Sequence, residues 1–313
     1  MRYVFILAVL IILAGVSTSW PGVENPVRPE EGFFIAGMGI IEDHKVASDP
    51  FEDLELEAKS AVILDLSDDR IIFEKESGLE WPLASLTKLV TAAVVYDTGG
   101  SLLKEGAIMI PITSDAVSQE GDDGFLVGES FEAGDLQDAM LVKSSNDAAY
   151  ALSVWAKENN GNKDGSWFVN EMNMFVSRLG FHKTYFLNFT GLDIDDRISG
   201  SYGTAEEMAR LFSWLIKNRL DILSATSRTE ITIYSAQGKK HIFNSSAGRI
   251  MPIPELIAAK TGYTDIAGGN LVVAFGAGPG RQFAAVVLGS SYEGRFSDML
   301  KIYEAVSKYV KNL

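Results

Sequence analysis

The 313-residue chain carries 42 acidic against 27 basic residues, a net charge of −15, with 47% apolar residues and no cysteine. That balance excludes the basic footprint nucleic acid requires, and the missing cysteines exclude disulfide scaffolds, thiol nucleophiles and thiolate metal sites. Length and apolar content leave room for one large domain or two modest ones.

The first twenty residues, MRYVFILAVLIILAGVSTSW, set one arginine ahead of an apolar run that closes on small polar residues. This layout predicts an export signal over residues 1–19, cleaved after Ser19 or kept as a membrane anchor. Residues 20–50 are rich in proline, glycine and acids and predict a tether. KSAVILDLSDDRIIFEKES then predicts two strands turned at Ser67-Asp68-Asp69.

In WPLASLTKLVTAA, residues 81–93, and at Val94 just beyond, Leu86, Leu89, Val90, Ala93 and Val94 recur at steps of three and four. The period predicts a helix with Pro82 in its first turn. Ser85 and Lys88 then share one face, and a lysine pressed among apolar side chains gives up its proton readily. A neutral lysine can serve as base for the serine hydroxyl. The same spacing also suits a capping serine beside a lysine that snorkels to solvent, and Ser-x-x-Lys arises by chance about once in such a chain.

Helical patterns continue to about residue 220, in AGDLQDAMLVKSSNDAAYALSVWAKE and TAEEMARLFSWLIKN. Within the first, KSSND puts Ser144 and Asn146 at a junction of two helices, where such residues commonly cap. Strand patterns return at ELIAAKTGYTD, GNLVVAFGAG and RQFAAVVLGSS. Lys260, Thr261 and Gly262 fall on the first of these. A glycine inside a strand marks a close approach of another backbone; the alternative is an edge-strand lysine beside a turn. GRFSDMLKIYEAVSKYVKNL predicts a C-terminal amphipathic helix burying Phe296, Met299, Leu300, Tyr303, Val306 and Val310. His44, His182 and His241 have no metal-ligand spacing and are expected to be structural or surface residues. The whole predicts an α+β fold: an antiparallel sheet built from both ends of the chain and flanked by helices, with a helical lobe inserted over about 82–220.

Ser85-x-x-Lys88, Ser144-x-Asn146 and Lys260-Thr261-Gly262, in this order, resemble the three signatures of penicillin-binding proteins and serine β-lactamases. From about Lys59 to the C-terminus the chain most resembles the D-alanyl-D-alanine carboxypeptidases, the low-molecular-mass penicillin-binding proteins. AKSAVILD, PLASLTKLVTA, SSNDAAYALS, NFTGLD, AAKTGYTDIAGGNLV and VVLGSSYEGRFSD carry that likeness. Two positions depart from it: Ser145 stands where glycine is common, and Phe189 where proline is usual. The resemblance implies a catalytic domain over 51–313 that opens the bond between two D-alanines of peptidoglycan stem peptides through an acyl-enzyme, and that β-lactams acylate. It implies Ser85 as nucleophile, Lys88 as base, and Ser144 as proton relay touching Lys88 and Lys260. Substrate binding is implied for Asn146, Lys260, Thr261, Gly262 and Arg295, with an oxyanion hole from the backbone N–H groups of Ser85 and Tyr263. The chemistry calls for no metal or cofactor, and the expected compartment is extracytoplasmic.

Two other classes stay open at this point. A class A β-lactamase uses a glutamate in a Glu-x-x-Leu-Asn stretch for deacylation, and none lies between Ser144 and Lys260. A penicillin-binding sensor or structural domain would keep the motifs for acylation or packing alone. Carboxypeptidase and endopeptidase would share every motif.

Overall fold

One strand pair near residue 60 and three strands near the C-terminus meet in a single antiparallel sheet. The computed structural model describes residues 49–313 except 104–107, 122 and 163. The predicted signal over 1–19 and nearly all of the tether lie outside the described residues. Residues Ala47–Leu313 form one compact unit, and among the described residues no helix is long and apolar enough to cross a membrane.

Strand β1 (Ser60–Asp65) is buried at all six positions, because both faces of its sheet are covered. It lies between β2 (Arg70–Lys75) and β12 (Gln282–Ser290), in the order β10-β11-β12-β1-β2, with β10 spanning Leu256–Thr264 and β11 Gly268–Gly276. Successive side chains point to opposite faces. Val62, Leu64, Val272, Ala274, Ala284 and Val286 join the core shared with the central helices. Ala61, Ile63, Leu271, Val273, Ala285 and Val287 join the second core, under the C-terminal helix.

The chain between these strands builds α1 (Lys88–Gly99), α2 (Ser114–Val117), α3 (Ala133–Val142), α4 (Asn146–Asn159), α5 (Trp167–Arg178) and α6 (Ala205–Leu223), and α7 (Gly294–Lys311) closes the chain. Every residue of α1 from Lys88 to Val95 is buried, as expected of a helix apolar all round. Small sheets brace the lobe. β3 (Trp81–Pro82), β7 (Ser201–Gly203) and β6 (Tyr185–Phe186) form one; β4 (Met109–Pro111) pairs with β5 (Ser130–Glu132). A hairpin of β8 (Glu230–Tyr234) and β9 (Lys240–Asn244) alternates exposed and buried residues along both strands. That alternation is legible as strand in the sequence, but it lies past the helical stretch and before the predicted strands, outside both.

Two local expectations are corrected. The helix carrying Lys88 does not start at Pro82, which pairs with Tyr202 in β3 and β7. Ala84 takes φ +48°, outside the helical range, and Ala84–Thr87 form a 3-10 turn leading into α1. Residues three apart eclipse in a 3-10 turn, so Ser85 and Lys88 still meet. On α7, Leu300 is 39% exposed whereas Ile302 is fully buried. The cause is Asp298, buried in the helix face. Its carboxylate accepts from the backbone N–H groups of Glu57 and Ala58 at 2.9 and 2.8 Å and from Ser290 Oγ at 2.9 Å. Those bonds fix the rotation of α7 about its axis and turn Leu300 outward.

Ile302→Ala is therefore expected to cost about 2–5 kcal/mol of stability, and Leu300→Ala under about 1 kcal/mol. Urea unfolding midpoints of the two variants check the orientation of α7.

Candidate active site

The 3-10 turn delivers Ser85 to the N-terminal end of α1. A β-carbon on Gly191 (φ +80°) would fall on the carbonyl of Ala84, so only glycine allows the 188–191 turn to press against this one. The turn itself is folded around Asn188, whose Oδ1 accepts from the N–H of Thr190 at 3.2 Å and of Gly191 at 2.7 Å.

Lys88 is wholly buried and has three partners. Its Nζ lies 2.9 Å from Ser85 Oγ, 2.7 Å from Asn146 Oδ1 and 2.8 Å from the carbonyl oxygen of Thr190. Burial pulls its pKa from 10.5 down to about 7, partly opposed by the negative charge of Asp123. Asn146 is the first residue of α4. Its Nδ2 donates to the carbonyl of Glu120 at 2.6 Å, so the amide is fixed at both ends.

Ser144 occupies the corner between α3 and α4 with φ +72°, a conformation uncommon outside glycine and asparagine that tends to mark functional sites. The next residue, Ser145, caps α4 by accepting from Ala148 N–H at 3.0 Å. Ser144 is thereby released from capping, and its hydroxyl accepts from Lys260 Nζ at 2.8 Å. The structure brings Ser144 to Lys260, while the hydrogen bonds of Lys88 go to Ser85, Asn146 and Thr190. The left-handed corner turns Ser144 toward β10 and leaves Asn146 facing α1.

Lys260, also wholly buried, donates to the carbonyl of Thr261 at 2.8 Å. Its pKa is held well below the usual lysine value by burial first, then by the positive charges of Lys88 and Arg295. Thr261 Oγ1 lies 2.7 Å from Ser246 Oγ. Gly262 explains the glycine inside the strand. A β-carbon there would sit 2.9 Å from Leu83 O and 3.2 Å from the backbone N of Ser85, which is how closely β10 passes the turn carrying Ser85. Arg295, 3% exposed, donates from Nη1 to Gly262 O at 3.0 Å and packs its guanidinium 4.3 Å from the ring centre of Tyr292. Tyr263 is half exposed at the rim. Beyond it lies a cavity of about 540 Å³ whose lining residues include Glu120, Asp193, Asp195, Asp196 and Asp265.

Three contributors were not singled out from sequence. Thr190 lies in the NFTGLD stretch but serves Lys88 through its backbone carbonyl, which no side-chain pattern distinguishes. Ser246 follows the β8–β9 hairpin, which none of the predicted strands covers. Asn270, fully buried, donates to Pro82 O at 2.9 Å and accepts from Gly289 N–H at 2.8 Å, tying β11 to the segment that precedes Ser85. Its signals were a polar residue inside the apolar GNLVVAFG run and its place in the stretch AAKTGYTDIAGGNLV.

The arrangement is a part-buried serine on a buried lysine, Ser85 and Lys88, with a second serine–lysine pair beside it that joins the α3–α4 corner to β10. Residues 44–292 match the family model described as D-alanyl-D-alanine carboxypeptidase. The chain belongs to that family. Within the D-alanyl-D-alanine carboxypeptidase family it is 28% identical over 262 residues to D-alanyl-D-alanine carboxypeptidase DacA of Escherichia coli (strain K12), covering 79% of this chain and 60% of the relative. It is 28% identical over 263 residues to DacF of Bacillus subtilis (strain 168), covering 82% of this chain and 64% of the relative. The chain thus spans less than two thirds of the length of either. Among solved structures, penicillin-binding protein D2 of Listeria monocytogenes in its ampicillin-bound form matches with a TM-score of 0.64 and 27% identity, over 81% of this chain and 98% of that one. The α+β fold expected from sequence is the fold of these penicillin-binding neighbours.

Gly262→Ala is expected to lose about 1–3 kcal/mol, because the new methyl meets backbone rather than a movable side chain. Gly248→Ala, where nothing lies within 4 Å of the added carbon, should stay within about 0.5 kcal/mol. Thermal unfolding of both variants checks how tightly β10 passes the Ser85 turn.

Proposed function

We propose that this chain is a serine D-Ala-D-Ala carboxypeptidase that trims peptidoglycan stem peptides through an acyl-enzyme on Ser85 and is acylated by β-lactams. The observation that carries this reading is the set of partners around Lys88 Nζ. A neutral amine has two N–H donors and one lone pair. Two of the three partners, Asn146 Oδ1 and Thr190 O, can only accept. With both hydrogens spent on them, the lone pair is left for the Ser85 hydroxyl at 2.9 Å. This is the arrangement in which Lys88 takes the proton as Ser85 attacks the carbonyl between the two D-alanines.

The remaining roles follow from position. The hydroxyl of Ser144, backed by Lys260, passes a proton to the departing D-alanine nitrogen. The backbone N–H groups of Ser85 and Tyr263 stabilise the oxyanion. Asn146 orients the peptide, and Lys260, Thr261, Gly262 and Arg295 form the side of the site that receives the terminal carboxylate. Arg295 does so from behind β10, through its bond to Gly262 O and its positive field. Water then releases the shortened peptide. In this reading residues 1–19 export the chain or anchor it to the membrane, 20–50 tether it, and 51–313 form the catalytic domain at the extracytoplasmic cell surface.

A synthetic pentapeptide ending in D-Ala-D-Ala should lose one D-alanine by mass analysis, and Ser85→Ala should lose none. Retained hydrolysis in Ser85→Ala would sink the assignment. Because the base must be neutral and its pKa lies at about 7, the acylation rate should rise as pH increases through about 7 and fall away below it. Lys88→Arg keeps the charge but cannot deprotonate, and penicillin labelling should drop by about 10³-fold or more.

A further inference from the structure

The segment joining α2 to β5 reaches the site from outside the three motifs. Its base is held by a buried pair, with His241 Nε2 3.1 Å from Glu129 Oε1 and the ring of Phe125 stacked on the imidazole. The other Glu129 oxygen accepts from Leu126 N–H at 2.8 Å. Its tip meets α4, where Glu120 O takes the Asn146 side-chain amide and Asp123 Oδ2 accepts from Asn146 backbone N–H at 3.2 Å. Asp123 therefore sits at the N-terminus of the helix whose first side chain holds Lys88, a place where the helix dipole favours a negative charge.

We propose that Asp123 is a positioning residue for the Ser85–Lys88 pair: its carboxylate, docked on Asn146, favours the charged form of Lys88 and sets the pH below which acylation stops. The proposal rests on the reading of Lys88 as the base. The charges around it are few and arranged with opposite effects. On the other side of the pair lie Lys260 on β10 and Arg295 behind it, and the positive charges of Lys88 and Arg295 fall on Lys260, which burial already lowers. Asp123 is the negative charge acting on Lys88, against the effect of burial. Lys143, just past the end of α3, lines a cavity together with Asp123. Glu120 enters the same region through its backbone carbonyl, while His241 and Glu129 pair with each other at the base of the segment. Without Asp123 the site would keep a neutral lysine, and with it a working base, to lower pH.

The test is the rate of Ser85 labelling by fluorescent penicillin between pH 5 and 9 in the wild type, Asp123→Asn and Asp123→Glu. Asparagine keeps an oxygen for the Asn146 N–H and removes only the charge. Its acid limb should move down by about half a pH unit or more, so that at pH 6 it retains roughly threefold more of its own plateau rate than the wild type. Asp123→Glu should keep the wild-type midpoint. An Asp123→Asn midpoint at or above the wild-type value overturns the proposal, as does loss of labelling in both variants, which would make Asp123 merely structural. A wild type with no acid limb would instead refute Lys88 as the base, a separate failure visible before any Asp123 variant is made.

Discussion

Everything distinctive in this structure is organised around one amine held away from water. Lys88 is fully buried, and an isolated ammonium in such a place would be expensive to keep. The protein meets that constraint by surrounding the nitrogen with two carbonyl oxygens and one hydroxyl, a set that a neutral amine satisfies completely. Each partner comes from a different element: the 3-10 turn before α1, the first residue of α4, and the 188–191 turn. The three elements must therefore converge to within hydrogen-bond distance of a single atom, which accounts for the strained backbone at Ala84 and for the glycine at 191.

The sheet supplies the second half of the site by proximity. Because Gly262 has no side chain, β10 slides past the Ser85 turn and brings Lys260 in beside Lys88. Two buried lysines with Arg295 nearby repel one another's protons, so burial and like charge lower Lys260 together. Lys260 is steadied by Ser144, which is free to reach it only because Ser145 has taken over the capping of α4. The serine at 145, unusual for the middle motif, thus has a local physical role, satisfying a helix N-terminus that glycine could not cap with a side chain.

Asp298 does for the outer layer what Lys88 does for the inner one. A single buried carboxylate with three hydrogen bonds to the segment just before β1 and to the end of β12 sets how α7 lies on the sheet. Hydrophobic periodicity located α7 correctly and named five of its inward residues, yet it included Leu300 and omitted Ile302. Apolar spacing specifies that a face exists; the exact rotation was decided by a polar contact made some 240 residues away in sequence.

The sequence by itself determined the strands of the main sheet, the helical middle, the serine and lysine three residues apart, and the presence of two further short motifs of reactive residue types. Those features are local: a period of two or of three to four, a glycine in a strand, a spacing of three. Tertiary structure alone decided what the motifs do to one another. The partners of Lys88 beyond Ser85 lie 58 and 102 residues away, and Ser144 reaches across 116 residues to Lys260. One of those partners is a backbone carbonyl, which every residue possesses and no pattern distinguishes. The lowered proton affinity of both lysines likewise belongs to the fold, because desolvation and like-charge repulsion exist only once the chain has closed over them.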